Sequence, residues 1–223
     1  MKVAKRDFVP EDTKSYYYNR PLSSGKAYFL EDANGKIFYA SKNYIDEHLK
    51  VDLSKIPDFT ISLISMRSYE NSGNRSCSKN KTHINYDKSY AIAYITLREE
   101  KLIEYKNISY EPLKNYYDKY MRDRDLADED IKRIINIESK AKERNIRLSL
   151  NNLLTCYAYE FKLKRILDCL KQNKEGIDFI NSLLSYLKNN YMLSDKQIKG
   201  LAKWTQYLPQ KDLRESKIMK FKN

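Results

Sequence analysis

The sequence predicts an α+β protein: a small antiparallel β-sheet with a hairpin in the N-terminal half, followed by a four- to five-helix C-terminal bundle. Asn34-Gly35 lies between two apolar and aromatic runs, "AYFL" and "KIFYA", which is the strongest short hairpin signal. Near residue 108 the hydrophobic spacing changes from short runs to helical repeats. Five amphipathic segments follow. The expected division is a β-rich domain over 1–108, holding a long basic loop at 67–88, and a helical domain over 109–223 with a basic C-terminal tail.

Before residue 108 the runs "AYFL", "KIFYA", "FTISLISM", "SYAIAYITL" and "KLIEY" have the length and the β-branched and aromatic content of strands. A type I′ turn at Asn34-Gly35 pairs Leu30 with Tyr39 and Asp32 with Ile37. Tyr28, Leu30, Ile37 and Tyr39 then share one face, and Phe29 and Phe38 the other. A short helix capped by Ser41 is expected after the hairpin, with Tyr44, Ile45, His48 and Leu49 on one side.

Beyond 108, "YEPLKNYYDKYM" places Pro112 in a first helical turn, where a missing N–H costs nothing. "DEDIKRIINIESKAKERN" begins with acids and ends with bases, the order a helix dipole favours. "LSLNNLLTCYAYEFKLKRILDCLKQ" carries a broad stripe of Leu150, Leu153, Leu154, Tyr157, Phe161, Leu167 and Leu170. Lys162, Lys164, Arg165 and Lys171 lie on its other side. "EGIDFINSLLSYLKNNY" and "LSDKQIKGLAKWTQYL" complete the bundle, the latter with the capping-box spacing of Ser194 and Gln197. In the tail, Ile218, Met219 and Phe221 offer apolar groups for docking.

Composition limits the functions. With 41% hydrophobic and 32% charged residues the chain can bury a core. No apolar run approaches the roughly 18 residues of a membrane span. The opening "MKVAKRDFVPEDTK" has no apolar stretch behind its bases, so no secretory signal is expected. The expected compartment is cytoplasmic, meaning the host cytoplasm or a virion if the chain is viral. The 3 cysteines, Cys77, Cys156 and Cys169, form neither a disulfide framework nor a zinc module. Cys77 and His83 have no second ligand pair, and neither metal nor cofactor is expected. With only His48 and His83 present, most histidine mechanisms fall away. Phosphate-cradling glycine loops, serine elbows and dinucleotide fingerprints are missing from the sequence.

Charge is the strongest global signal: 42 Lys and Arg against 30 Asp and Glu, a net +12. Such a surplus attracts polyanions at long range. The candidate phosphate-facing residues are Arg67, Arg75, Lys79, Lys81, His83 and Lys88, interleaved with Ser and Asn. Two clusters join aromatics to cations, as platforms for unpaired bases or protein interfaces do. One is Tyr16, Tyr17, Tyr18 and Arg20; the other is Tyr116, Tyr117, Tyr120, Arg122 and Arg124.

The stretch "KAYFLEDANGKIFYASKN" resembles the opening of a GIY-YIG nuclease domain, with Tyr28 and Tyr39 in the place of its two tyrosines and "SKNYIDEHL" in that of its helix. The resemblance implies metal-assisted phosphodiester cleavage, a tyrosine activating water and an arginine balancing phosphate charge. Ala40 or Ser41 replaces the second motif's glycine, and residues 42–50 hold no arginine, His48 being the nearest candidate. "FINSLLSYLKNNYMLSDKQIKGLAKW" resembles a helical hairpin found at the ends of phage and plasmid proteins. The leading expectation is therefore a non-enzymatic accessory protein of a phage or mobile element, binding nucleic acid, a nucleoprotein or an acidic partner. The alternatives are an assembly or interaction protein (a capsid-associated scaffold, or an inhibitor of a host defence complex, self-association included) and a degenerate nuclease of the hairpin type.

Overall fold

The computed structural model describes residues 1–64 and 83–222. Three antiparallel strands, β1 (Lys2–Phe8), β2 (Lys26–Glu31) and β3 (Ile37–Ala40), form a sheet in the order β1-β2-β3. Helices dominate the rest, and the fold is α+β. β1 is not among the expected strands. It is an edge strand carrying Lys2, Lys5 and Arg6, the charged dressing that keeps sheet edges from pairing with other chains, and this polarity hides it from hydrophobic patterning.

The hairpin forms, but its register is one residue from the expected one. Leu30 pairs with Phe38, Glu31 with Ile37 and Phe29 with Tyr39. Only Gly35 has positive φ (77°), whereas a type I′ turn needs it at both central residues. The Asp32 carboxylate accepts from the Asn34 and Lys36 N–H groups, and the Gly35 N–H donates to the Asp32 carbonyl. That aspartate-stabilised turn leaves a three-residue loop with glycine in its left-handed position. The slip moves Tyr39 to the face of Phe29, while Tyr28 and Leu30 share the opposite face with Phe38.

Ser41 caps α1 (Lys42–Tyr44) as expected, its hydroxyl accepting from the Tyr44 N–H at 3.4 Å. The chain then widens into an i→i+5 turn over Ile45–Leu49. Tyr44 and Ile45 pack with Val3, Tyr28, Leu30 and Ala40 into a small core on one side of the sheet. Of "FTISLISM", the described strand is β4 (Leu63–Ile64).

"SYAIAYITL" is not a strand. It belongs to α2 (His83–Thr96), which runs on in another wide turn through Lys101. Residues 91–98 are buried on every side, so this stretch shows no exposed polar face, and a continuous apolar run looks alike in a buried strand and a buried helix. "KLIEY" is turn, with Leu102 and Tyr105 buried.

The five expected helices follow: α3 (Glu111–Asp123), α4 (Asp128–Arg144), α5 (Leu150–Leu170), α6 (Lys174–Asn190) and α7 (Asp195–Thr205). The capping box of Ser194 and Gln197 is made in both directions. α2 packs against α3, α4 and α5. One core cluster runs from Phe59 and Leu63 through α2 to Leu213, across residue 108. Each large apolar side chain in it contributes roughly 1.5–3 kcal/mol.

Two seams join the sheet and the chain end to this body. Asp7, buried at the end of β1, accepts from Tyr157 at 2.9 Å and pairs with Lys101 at 2.9 Å and Lys5 at 3.2 Å. Beside it Phe8 stacks on Phe161, centroids 4.1 Å apart. At the other end, α8 (Lys211–Arg214) leads into β5 (Lys217–Ile218), which pairs antiparallel with β4. Phe221 stacks on Tyr159, and the Lys222 N–H donates to the buried Asn152 side chain at 3.1 Å. The apolar tail residues thus dock on their own chain. Lys162 departs from the sequence expectation: although grouped with Lys164, Arg165 and Lys171, it is only 5% exposed, and its ammonium donates to Ser216.

Candidate functional site

Arg67, Arg75, Lys79 and Lys81 lie outside the described residues, as do Cys77 and the side chain of His83. Residues 83–88 of the expected loop belong to α2. Lys88 is ion-paired with Asp125.

The two tyrosine clusters occupy different places. Tyr16 rests on Phe38 at 4.4 Å, and Tyr17 stacks on Tyr44 at 4.1 Å, on the sheet face opposite Phe29 and Tyr39. Tyr18 donates to Glu47 at 2.8 Å, with His48 Nε2 at 3.4 Å from the same hydroxyl. All three tyrosines remain exposed, at 54, 55 and 42%, and so does Arg20.

The second cluster divides. Arg122 points to solvent and pairs with Asp123, and Tyr116 interacts with Arg133. Tyr117, Tyr120 and Arg124 instead line a groove of about 490 Å³ between α2, α3 and the other sheet face, opposite Phe29, Ile37 and Tyr39. An adjoining depression of about 400 Å³ adds Lys2, Lys55 and Lys88. The groove gathers residues of two sequence-named groups.

Its charges are largely satisfied. Tyr117 donates to Glu100 at 2.8 Å, and Lys101 pairs with Glu100 at 2.8 Å. Burial would raise the Glu100 carboxyl, but the Lys101 ammonium and the Tyr117 hydroxyl outweigh it and hold it below the usual carboxylate range. Burial and Glu100 push the Tyr117 hydroxyl up to about 12. Lys5 stays with Asp7, Lys55 with Asp52 and Lys88 with Asp125. This is an aromatic groove with balanced charge.

The positive surplus lies elsewhere. Residues 1–64 hold 10 Lys and Arg against 9 Asp and Glu, whereas 145–223 hold 15 against 7. In that second segment Lys164, Arg165, Lys188, Lys203 and Lys211 have acidic partners. Among the described residues no acid pairs with Lys196 or Lys199 of α7, or with Arg214, Lys217, Lys220 or Lys222 of the returning segment. α7 and that segment border a common basin of about 360 Å³, lined by Lys162, Arg214 and Lys217. The tail reads as basic in the sequence, but the meeting of Arg214 and Lys217 with Lys162 at this basin depends on the chain end folding back along α5 and α7. Counting charge by segment was the available signal.

Among the described residues, the two tyrosines of the nuclease-like stretch do not share a face. Tyr28 and Tyr39 project from opposite faces of the sheet. The helix after the hairpin is a single α turn followed by the wide turn, with Tyr44 and Ile45 buried in the core. Among the described residues no group of three or more His, Cys, Asp or Glu is placed to hold a metal ion, and no helix is long and apolar enough to cross a membrane. No protein-family model, no curated protein and no solved structure matches the chain.

Proposed function

We propose that the chain acts by binding rather than catalysis, and that the face formed by α7 and residues 214–222 engages a nucleic-acid backbone. The observation that carries this reading is the charge partition: 145–223 holds 15 Lys and Arg against 7 Asp and Glu, and its cations on α7 and residues 214–222 other than Lys203 lack acidic partners among the described residues. Lysines presented this way replace condensed counterions and grip phosphates without reading bases. The N-terminal sheet contributes little to the attraction, its charges being nearly balanced.

Fluorescence anisotropy with a labelled duplex tests this. With about six phosphate contacts, affinity falls roughly a thousandfold between 50 and 200 mM salt. Reversing Lys196, Lys199 and Lys220 to Glu abolishes binding, while reversing Lys36, Lys42 and Lys50 leaves it nearly unchanged. A salt-independent affinity, or equal losses in both triple variants, rules the reading out.

A second reading rests on Tyr16, Tyr17 and Tyr18, whose exposed rings pack over the buried Tyr44 and the half-buried Phe38. Surfaces of this kind anchor protein interfaces. A stoichiometric complex that survives nuclease treatment and is lost in Tyr17→Ala supports assembly through that patch; one indifferent to Tyr17→Ala removes it.

A further inference from the structure

We propose that the basin beneath the C-terminal strand seats a single phosphoryl group. This goes beyond the polyanion reading, since it concerns one defined seat and holds whatever molecule carries the phosphate. The basin lies between α5, α7 and residues 214–218, and no carboxylate is among its lining residues. Its lining includes the buried Lys162 and the exposed Arg214 and Lys217, together with Tyr159 and Ser216.

The argument turns on the counter-charge of Lys162. Its ammonium is buried and donates to the Ser216 carbonyl at 3.0 Å and the Ser216 hydroxyl at 3.2 Å. Both acceptors are neutral, and a third N–H remains. Buried charges in proteins are ordinarily paired, because an unpaired one loses its hydration without return. Of the neighbouring acids, Glu215 pairs with Lys211 at 3.8 Å, and Asp195 acts on the Tyr159 hydroxyl at the basin's edge without itself lining the basin. Among the described residues Arg214 donates to the Leu208 carbonyl, at 3.4 Å, and pairs with no acid. Burial lowers the Lys162 pKa to about 8, so the amine still carries its proton at neutral pH. Three cations therefore line a concavity that has no carboxylate among its lining residues. A phosphoryl group supplies the missing charge, and its several oxygens match an ammonium N–H, a guanidinium fork and a second ammonium together.

Thermal unfolding in inorganic phosphate, against chloride at equal ionic strength, is the direct test. Tm should rise with the logarithm of phosphate concentration, as ligand linkage requires. Phosphate also stabilises proteins generally by surface exclusion, so the control is the Arg214→Ala/Lys217→Ala double variant, whose changes are at exposed positions. The proposal expects the phosphate-specific rise to be lost there, with affinity by titration calorimetry reduced at least tenfold. Equal Tm in the two salts, or a rise that persists in the double variant, overturns it. Competition between bound phosphate and a 5′-phosphorylated dinucleotide identifies the source. Displacement by the 5′-phosphorylated dinucleotide alone assigns the seat to a phosphate monoester, displacement by both forms assigns it to a backbone diester, and displacement by neither assigns it to free phosphate. Nucleic-acid binding retained in the double variant would remove this seat from the backbone interface without touching the surplus on α7.

Discussion

Two lysines at the seams of this protein, the half-buried Lys101 and the buried Lys162, are held in opposite ways. Lys101, at the seam between sheet and helices, meets Asp7 and Glu100; Lys162, beneath the C-terminal strand, meets only the neutral oxygens of Ser216. Burial opposes the charge at both. At Lys101 the two carboxylates win and hold the pKa above the usual lysine value, whereas at Lys162 burial stands alone and lowers it to about 8. The difference separates a structural joint, whose charges are internally complete, from a site whose charge is left for something outside the chain.

The largest effect should come from making the first lysine resemble the second. Asp7→Asn removes the carboxylate that ties β1 to Lys101 and Tyr157, and breaking a buried pair on one side costs about 3–5 kcal/mol. Urea unfolding measures it; a loss under 1 kcal/mol would show that the seam is not held by this charge.

The second effect concerns pH. Lys162 has a folded pKa near 8, below the unfolded value, so the unfolded chain binds more protons between the two, and stability rises with pH in that window. Wild type should gain about 1.5 kcal/mol over Lys162→Met between pH 8 and 9.5. Lys101 is raised instead, so its contribution is fully present below the unfolded lysine pKa and does not oppose the rise. Above about pH 10 the buried tyrosines Tyr105 and Tyr157, both raised by burial, act in the other direction, because only the unfolded chain ionises them. Parallel pH profiles for wild type and Lys162→Met would contradict the assignment.

The smallest effect is a control on the same theme. Lys203 and Glu175 form an exposed pair at 3.5 Å, and Lys203→Ala should change stability by no more than about 1 kcal/mol. A larger loss would mean that surface pairs matter more here than the comparison assumes.

Legibility in the sequence followed the kind of contact that fixes each element. α3 to α7 were readable because each keeps a polar side, so the helical period shows, and Ser194 with Gln197 marks a start by local chemistry alone. α2 was hidden by its central position: residues 91–98 touch protein on all sides and carry no period. The hairpin was visible at Asn34-Gly35, but its register was set by the Asp32 side chain bonding to Asn34 and Lys36, which moved Tyr39 to the other face. The aromatic groove was half legible: Tyr120 and Arg124 are one turn apart, yet their partners Phe29 and Tyr39 come from a distant strand. The basic basin was legible only as a basic tail with apolar docking groups. Lys162 reads as a surface lysine on its helix, and only the return of Ser216 and Lys217 alongside α5 buries it.

The most direct test of where the protein works is lysine footprinting. Acetylation rates, read by mass spectrometry with and without a bound duplex, should fall at Lys196, Lys199, Lys217, Lys220 and Lys222 and stay unchanged at Lys36, Lys42 and Lys50. Protection of the N-terminal lysines with the C-terminal group left reactive would contradict the account.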